Sequence, residues 1–232
     1  MRRILAMILL PFTALAAPTE SRESLEWKQG ESLPYLQFLP EGYDKNTPEP
    51  YPLVVFLHGA GERGANLDLL KKHGPPMIAM KGHGLPFILA APQCPVGRWW
   101  NPDEIIALTK HLAKTLPVDP KRIHLTGISM GGFGTWACLA KEPELYASGV
   151  PICGGGDPAQ ANLLKEIPIW TFHGLKDEAV PVAKTEEMEK AILAAGGKKL
   201  LVTYYPGEAH ESWIPAYADP ALLAWMMVQH KK

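Results

Sequence analysis

Apolar and polar positions along the chain alternate between two rhythms. Short β-branched or aromatic runs bounded by Gly and Pro recur at Leu53 to Leu57, Phe87 to Ala91, Ile123 to Thr126, Gly149 to Cys153, Ile167 to Phe172 and Leu200 to Tyr205. Runs of that length and composition predict strands buried on both faces. Helical signals fall between them. The clearest spans Pro102 to Leu116, where Asn101 can cap, Pro102 takes the first helical position and Glu104 sits three residues past the cap. Others cover Met130 to Lys141, Val182 to Ala195 with Gly196 and Gly197 as the stop, and Pro220 to His230. Strands alternating with helices predict an α/β fold, a mostly parallel sheet with right-handed crossovers and helices on both faces. Leu33 to Leu39 alternates loosely and predicts an antiparallel edge strand. No linker interrupts the pattern, so residues 17–232 read as one domain.

The first residues follow neither rhythm. Arg2 and Arg3 precede an apolar run from Ile4 to Ala17 that is broken by Pro11, and Ala14-Leu15-Ala16 supplies small residues for cleavage. The run falls short of the roughly 20 residues of a spanning helix, so residues 1–16 are expected to be a cleaved secretory signal peptide. A secreted or periplasmic protein without a stable membrane anchor follows. Composition then narrows the partners: 47% hydrophobic and 20% charged residues are ordinary for a globular domain. Lys plus Arg (23) nearly balance Asp plus Glu (24), with no basic block, which argues against nucleic acid. Cys94, Cys138 and Cys153 lie far apart without a C-x-x-C pair, which argues against structural zinc; an exported protein could form one disulfide with one thiol left over, and buried thiols are the expectation favoured over it. No metal, nucleotide or flavin signature appears, and no cofactor is expected. The oligomeric state is open, with a monomer favoured.

In such sheets chemistry sits beyond the carboxyl ends of the strands. Ile123 to Thr126 runs into Gly127-Ile128-Ser129-Met130-Gly131-Gly132, a G-x-S-x-G match at a strand-to-helix turn. The glycines leave space around a tight turn, and the helix start offers free N–H groups to a developing oxyanion. A serine nucleophile needs a base and something to orient it. Among eight histidines, His210 follows the last strand across Pro206-Gly207-Glu208-Ala209 and precedes the final helix, so it is the base. His58 and His173 each end a strand before Gly, which suits a tight turn as well as catalysis. Asp177 follows the strand ending at Phe172 and is favoured as the acid over Asp157, which follows Gly154-Gly155-Gly156. The N–H groups of Ala60, in His58-Gly59-Ala60-Gly61, and of Met130 are the expected oxyanion donors. Trp99, Trp100 and Trp213 are expected in loops at the mouth of the site, where rings either stack on a sugar or phenolic acyl group or cover the core edge.

These motifs, with Leu39-Pro40-Glu41-Gly42-Tyr43, Glu62-Arg63-Gly64, Pro92-Gln93-Cys94-Pro95 and Val180-Pro181, resemble the α/β-hydrolase superfamily. The likeness is greatest to bacterial phospholipase/carboxylesterase-type and prolyl-oligopeptidase-like esterases, including secreted feruloyl-esterase-like members, and covers essentially all of the chain beyond the leader. It implies Ser129 as nucleophile, Asp177 as acid, His210 as base, Ala60 with Met130 as oxyanion donors, and hydrolysis of carboxylic esters through an acyl-enzyme. Small or carbohydrate-linked acyl esters are the expected substrates. A prolyl-oligopeptidase-like peptidase is the alternative, although the 216 residues expected after signal cleavage are too few for that family's gating domain. A binding module without catalysis is a remote third. No spare amphipathic segment is available for a large lid.

Overall fold

The computed structural model describes residues 19–82 and 84–231, so the expected signal peptide lies outside the described residues. Eight strands form one sheet: β1 (Thr19–Lys28), β2 (Glu31–Leu39), β3 (Tyr51–Leu57), β4 (Ile88–Pro92), β5 (Val118–Ile128), β6 (Ser148–Ile152), β7 (Ile169–Gly174) and β8 (Leu200–Tyr205). Their order is β1-β2-β4-β3-β5-β6-β7-β8. β1 pairs with β2 and β2 with β4 antiparallel, and the remaining pairs are parallel. The predicted strands are all present, but β2 is not the edge. Its outer side is covered by β1, whose sequence TESRESLEWK is mostly polar and sets only Leu25 and Trp27 against the core.

Helices α1 (Gly74–Met80), α2 (Pro102–Thr115), α3 (Met130–Lys141), α4 (Ala161–Leu164), α5 (Ala183–Ala194), α6 (Trp213–Ala218) and α7 (Pro220–Met227) cover the sheet. The predicted cap of α2 forms in full: Asn101 accepts from Asp103 N–H, and Glu104 reaches back to the Asn101 N–H. β3 shows how its side chains divide between the two sides. Leu53, Val55 and Leu57 enter a core with residues of α2, α3 and α5, while Val54 and Phe56 enter a second core with α1, α6 and α7. This period-2 division is what a strand buried on both faces produces. There is no large lid among the described residues.

The chain runs from β3 to β4 on one side, then passes back over β3 to β5 on the other. Strand order therefore reverses between β3 and β5, and a crevice opens at their carboxyl ends. The ladder sets Leu57 opposite Gly127, which brings the residues after each strand to the same level.

Candidate active site

β5 ends on Ile128 and α3 begins at Met130, so Ser129 alone makes the turn. Its backbone sits at φ 53, ψ −116, on the side of conformational space that costs a non-glycine residue on the order of 1–3 kcal/mol. Its N–H donates to Ile152 O at 2.9 Å, which ties the strained residue to β6. A Cβ at Gly131 would fall on the Leu57 carbonyl, and one at Gly127 on that of Gly131. Helix and strand can approach this closely only with glycine at both positions. Ser129 consequently stands half-exposed at the N-terminus of α3, where first-turn N–H groups lack helical acceptors.

Asp177 lies just past the end of β7 and is buried, with 8% exposure. Its Oδ1 accepts the N–H groups of Ala179 at 2.9 Å and Val180 at 2.8 Å. Its Oδ2 lies 2.7 Å from His210 Nδ1. A carboxylate oxygen accepts, so Nδ1 carries the hydrogen and Nε2 presents a lone pair. Ser129 Oγ lies 2.8 Å from that Nε2 and donates to it. A second imidazole stands at the same carboxylate. His173 Nε2 is 3.2 Å from Asp177 Oδ2 and 2.9 Å from Val180 O. Both of those neighbours accept, so His173 is protonated on Nε2, and its Nδ1 accepts from the Thr185 hydroxyl at 2.7 Å.

His210 reaches this position because of Gly174. A Cβ there would overlap the carbonyl oxygens of Glu208 and Ala209, so the segment after β8 can lie directly on the end of β7. Lys176 N–H donates to Glu208 O at 3.0 Å and fixes that crossing. The glycine after His173, which in sequence suits a tight turn as well as catalysis, is therefore what lets the base cross.

Ala60 and Met130 each follow the paired residues Leu57 and Gly127 by three positions. Ala60 opens a 3-10 turn, Ala60–Glu62, and Met130 is the first residue of α3. Beneath them His58 is buried. Its Nδ1–H donates to Gly59 O at 2.6 Å and its Nε2 accepts from Cys94 N–H at 3.0 Å. Burial holds this imidazole down to about 4, so it stays neutral.

The three tryptophans do not form one rim. Trp100 is 6% exposed, its indole N–H donates to His58 O at 3.1 Å, and it meets His58 edge-to-face. Trp213 is 8% exposed and begins α6 rather than lying in a loop. It packs edge-on to His210 at 5.4 Å and to His73 at 5.5 Å. Both rings were expected at the mouth, and packing puts them beneath it, as supports for the oxyanion loop and for the base. Trp99 is the exposed one, at 61%.

Cys153, Asp177 and His210 bring donor atoms within 4.8 Å of one another. Hydrogen bonding already occupies both His210 nitrogens and both Asp177 oxygens, and burial pushes the Cys153 thiol up to about 12. The group is thus accounted for by the serine, histidine and aspartate network. All three cysteines are free and buried, as the sequence predicts.

Residues 101–216, half of the chain, match the Dienelactone hydrolase family. The chain is 26% identical over 141 residues to the poly(3-hydroxyalkanoate) depolymerase C of Paucimonas lemoignei, covering 53% of this chain and 32% of that protein. Among solved structures it resembles a thermostable esterase, with TM-score 0.79 and 32% identity over 94% of this chain and 64% of that one. A mutant feruloyl esterase module from Clostridium thermocellum, complexed with sinapinate, shares the fold at TM-score 0.67 and 18% identity, covering 96% and 95% of the two chains. The chain thus spans about a third of the length of the depolymerase and just under two thirds of the thermostable esterase.

Proposed function

This chain belongs to the dienelactone hydrolase family, within the α/β-hydrolase superfamily, and from that premise we propose that it is a secreted or periplasmic serine hydrolase of carboxylic esters. The observation that carries the reading is the continuous hydrogen-bonded path from buried Asp177 through His210 to Ser129 at the strained turn. Ser129 Oγ attacks the ester carbonyl while His210 Nε2 takes its proton, and Asp177 stabilises the imidazolium that forms. The carbonyl oxygen becomes an oxyanion, and the backbone N–H groups of Ala60 and Met130 receive it. His210 then returns the proton to the departing alcohol. Water, activated by the same imidazole, frees the acid from Ser129.

Substrates are small or carbohydrate-linked acyl esters, and no step calls for a metal or cofactor. Export rests on Arg2, Arg3 and the apolar run to Ala17. No helix among the described residues is long and apolar enough to cross a membrane. A monomer needs no further residue to complete the path described.

The decisive experiment pairs Ser129→Ala with a fluorophosphonate probe. Wild-type protein is expected to hydrolyse p-nitrophenyl acetate and to be labelled at Ser129, and the variant to do neither while melting at a similar temperature. Labelling at another serine would overturn the assignment. Faster cleavage of prolyl amides than of any ester in a panel would favour the peptidase reading instead.

A further inference from the structure

A groove of about 350 Å³ is lined by Trp99, Trp100, Phe133, Gly155, Asp157 and Gln160. Its volume falls at the lower end of ligand sites, roughly 300–1,000 Å³. We propose that this groove is a saccharide subsite, which binds one sugar ring of a carbohydrate-linked ester while the ester carbonyl lies at Ser129. The proposal rests on the ester-hydrolase reading and names the substrate class of that site.

Its walls and polar groups suit a pyranose. Trp99 is 61% exposed and meets Phe133 edge-to-face, with ring centroids 5.8 Å apart. A large apolar ring held in water at the side of a groove is a ready platform for the C–H face of a sugar. Opposite in character, Asp157 spends Oδ1 on the Ala159 N–H at 3.0 Å and keeps its second oxygen to accept from hydroxyl groups. Gln160 adds an amide that both donates and accepts. An aromatic face joined to a carboxylate and an amide matches a ring with an apolar face and a hydroxyl edge. A flat phenolic acyl group would leave the carboxylate unused.

The platform is also held before any ligand arrives. Next to Trp99, buried Trp100 is pinned to His58 O, and Cys94 N–H is bound to His58 Nε2. Arg63 donates to Arg98 O at 3.3 Å, and Asn101 caps α2 immediately after the two tryptophans. Side chains already fixed lose less entropy on binding. At Gly155, a Cβ would stand 3.0 Å from Phe133 Cε1 and 3.0 Å from Lys184 Cβ. Without side chains, the segment after β6 can lie flat on α3 and offer its backbone to the groove. Phe133 stands one turn after Ser129, its N–H donating to Ser129 O at 3.1 Å as the opening bond of α3, so the groove runs along the helix that the nucleophile begins.

Binding can be separated from catalysis by titrating Ser129→Ala protein with xylotetraose, cellotetraose and mannotetraose in a calorimeter, with ferulate as the competing aromatic ligand. At least one tetrasaccharide is expected to bind saturably. Adding Trp99→Ala should weaken it by about two- to twelvefold, the range of one aromatic stacking contact, and Asp157→Ala should weaken it as well. Thermal melting of each double variant shows whether it is folded, and Trp99→Phe should recover part of the affinity. Binding of ferulate alone, or of no tetrasaccharide, overturns the proposal, as does tetrasaccharide binding unchanged by both substitutions. Hydrolysis of p-nitrophenyl acetate by the wild type tests the ester-hydrolase reading separately, because its failure would leave the titration unaffected.

Discussion

Asp177 gathers four donors around one buried carboxylate: two backbone N–H groups, His210 and His173. This concentration fixes the direction of the whole path, since an acceptor at Nδ1 leaves Nε2 free for the serine. Asp177→Asn preserves the shape but offers an amide where His210 Nδ1–H needs an acceptor, and the imidazole can then turn over to its unproductive tautomer. Turnover of p-nitrophenyl acetate is expected to fall by about 10⁴-fold, by analogy with the same change in other triads, with little change in melting temperature. Wild-type-like turnover in the variant would show that another acid orients the base. His173 is the supporting residue that sequence reasoning left between turn and catalysis. Its signal was present, a histidine ending a strand four residues before the acid. Nothing in the spacing said that its Nε2–H points to the carboxylate rather than to a substrate.

At the scale of elements, the site depends on how closely loops can lie on strand ends. Gly174→Ala places a methyl group against the Glu208 and Ala209 carbonyls, so the segment carrying His210 must rise. Overpacking of this kind costs about 1–3 kcal/mol, and a displacement of the base by about 1 Å costs on the order of 10²-fold in rate. The variant should therefore lose far more kcat than its melting curve suggests, a split that steady-state kinetics and calorimetry would resolve. Legibility follows the same physics. β3 to β8 and the helices α2, α3 and α5 could be read because each must bury an apolar face and so carries a period. Ser129, Asp177 and His210 could be read because each follows a strand that was itself legible. Elements without that requirement were missed. β1 sets only Leu25 and Trp27 against the core, too short a pattern to read, α1 opens with Gly74-Pro75-Pro76, which reads as a break, and α6 contains Pro215 within six residues. The burial of Trp100 and Trp213 was illegible for another reason: an aromatic residue after a strand looks the same whether neighbours packed from distant parts of the chain cover it or leave it exposed.

Across the whole molecule, two histidines are sealed into the interior, where burial outweighs the groups that would favour their charged forms, and they weaken the fold in acid. His58 is 1% exposed and held down to about 4, first by burial and then by Arg63. His124 is fully buried beside Ser148 and held down to about 3, first by burial and then by His230 and Arg122. Protonating His58 on Nε2 would also set two donors against each other, since that nitrogen accepts the Cys94 N–H. Both groups take up protons in the unfolded chain near 6.5 but resist them in the folded one, so the unfolded state binds more protons below that pH. Stability is accordingly complete above about 6.5 and is lost as pH falls toward 4, at about 1.4 kcal/mol per pH unit for each histidine. Between pH 7 and pH 5 the two together should remove roughly 4 kcal/mol, a large share of the 5–15 kcal/mol that holds a typical domain. Glu104 acts in the opposite sense, because burial raises its carboxyl. That offset develops as pH falls through the raised range of its carboxyl. Urea unfolding at pH 7, 6 and 5 measures the slope, and His58→Gln should reduce it by about half whatever its effect at pH 7. A stability that stayed flat from pH 7 to pH 5 would mean that water reaches these imidazoles in the folded protein. The supports beneath the oxyanion loop would then be looser than their hydrogen bonds imply.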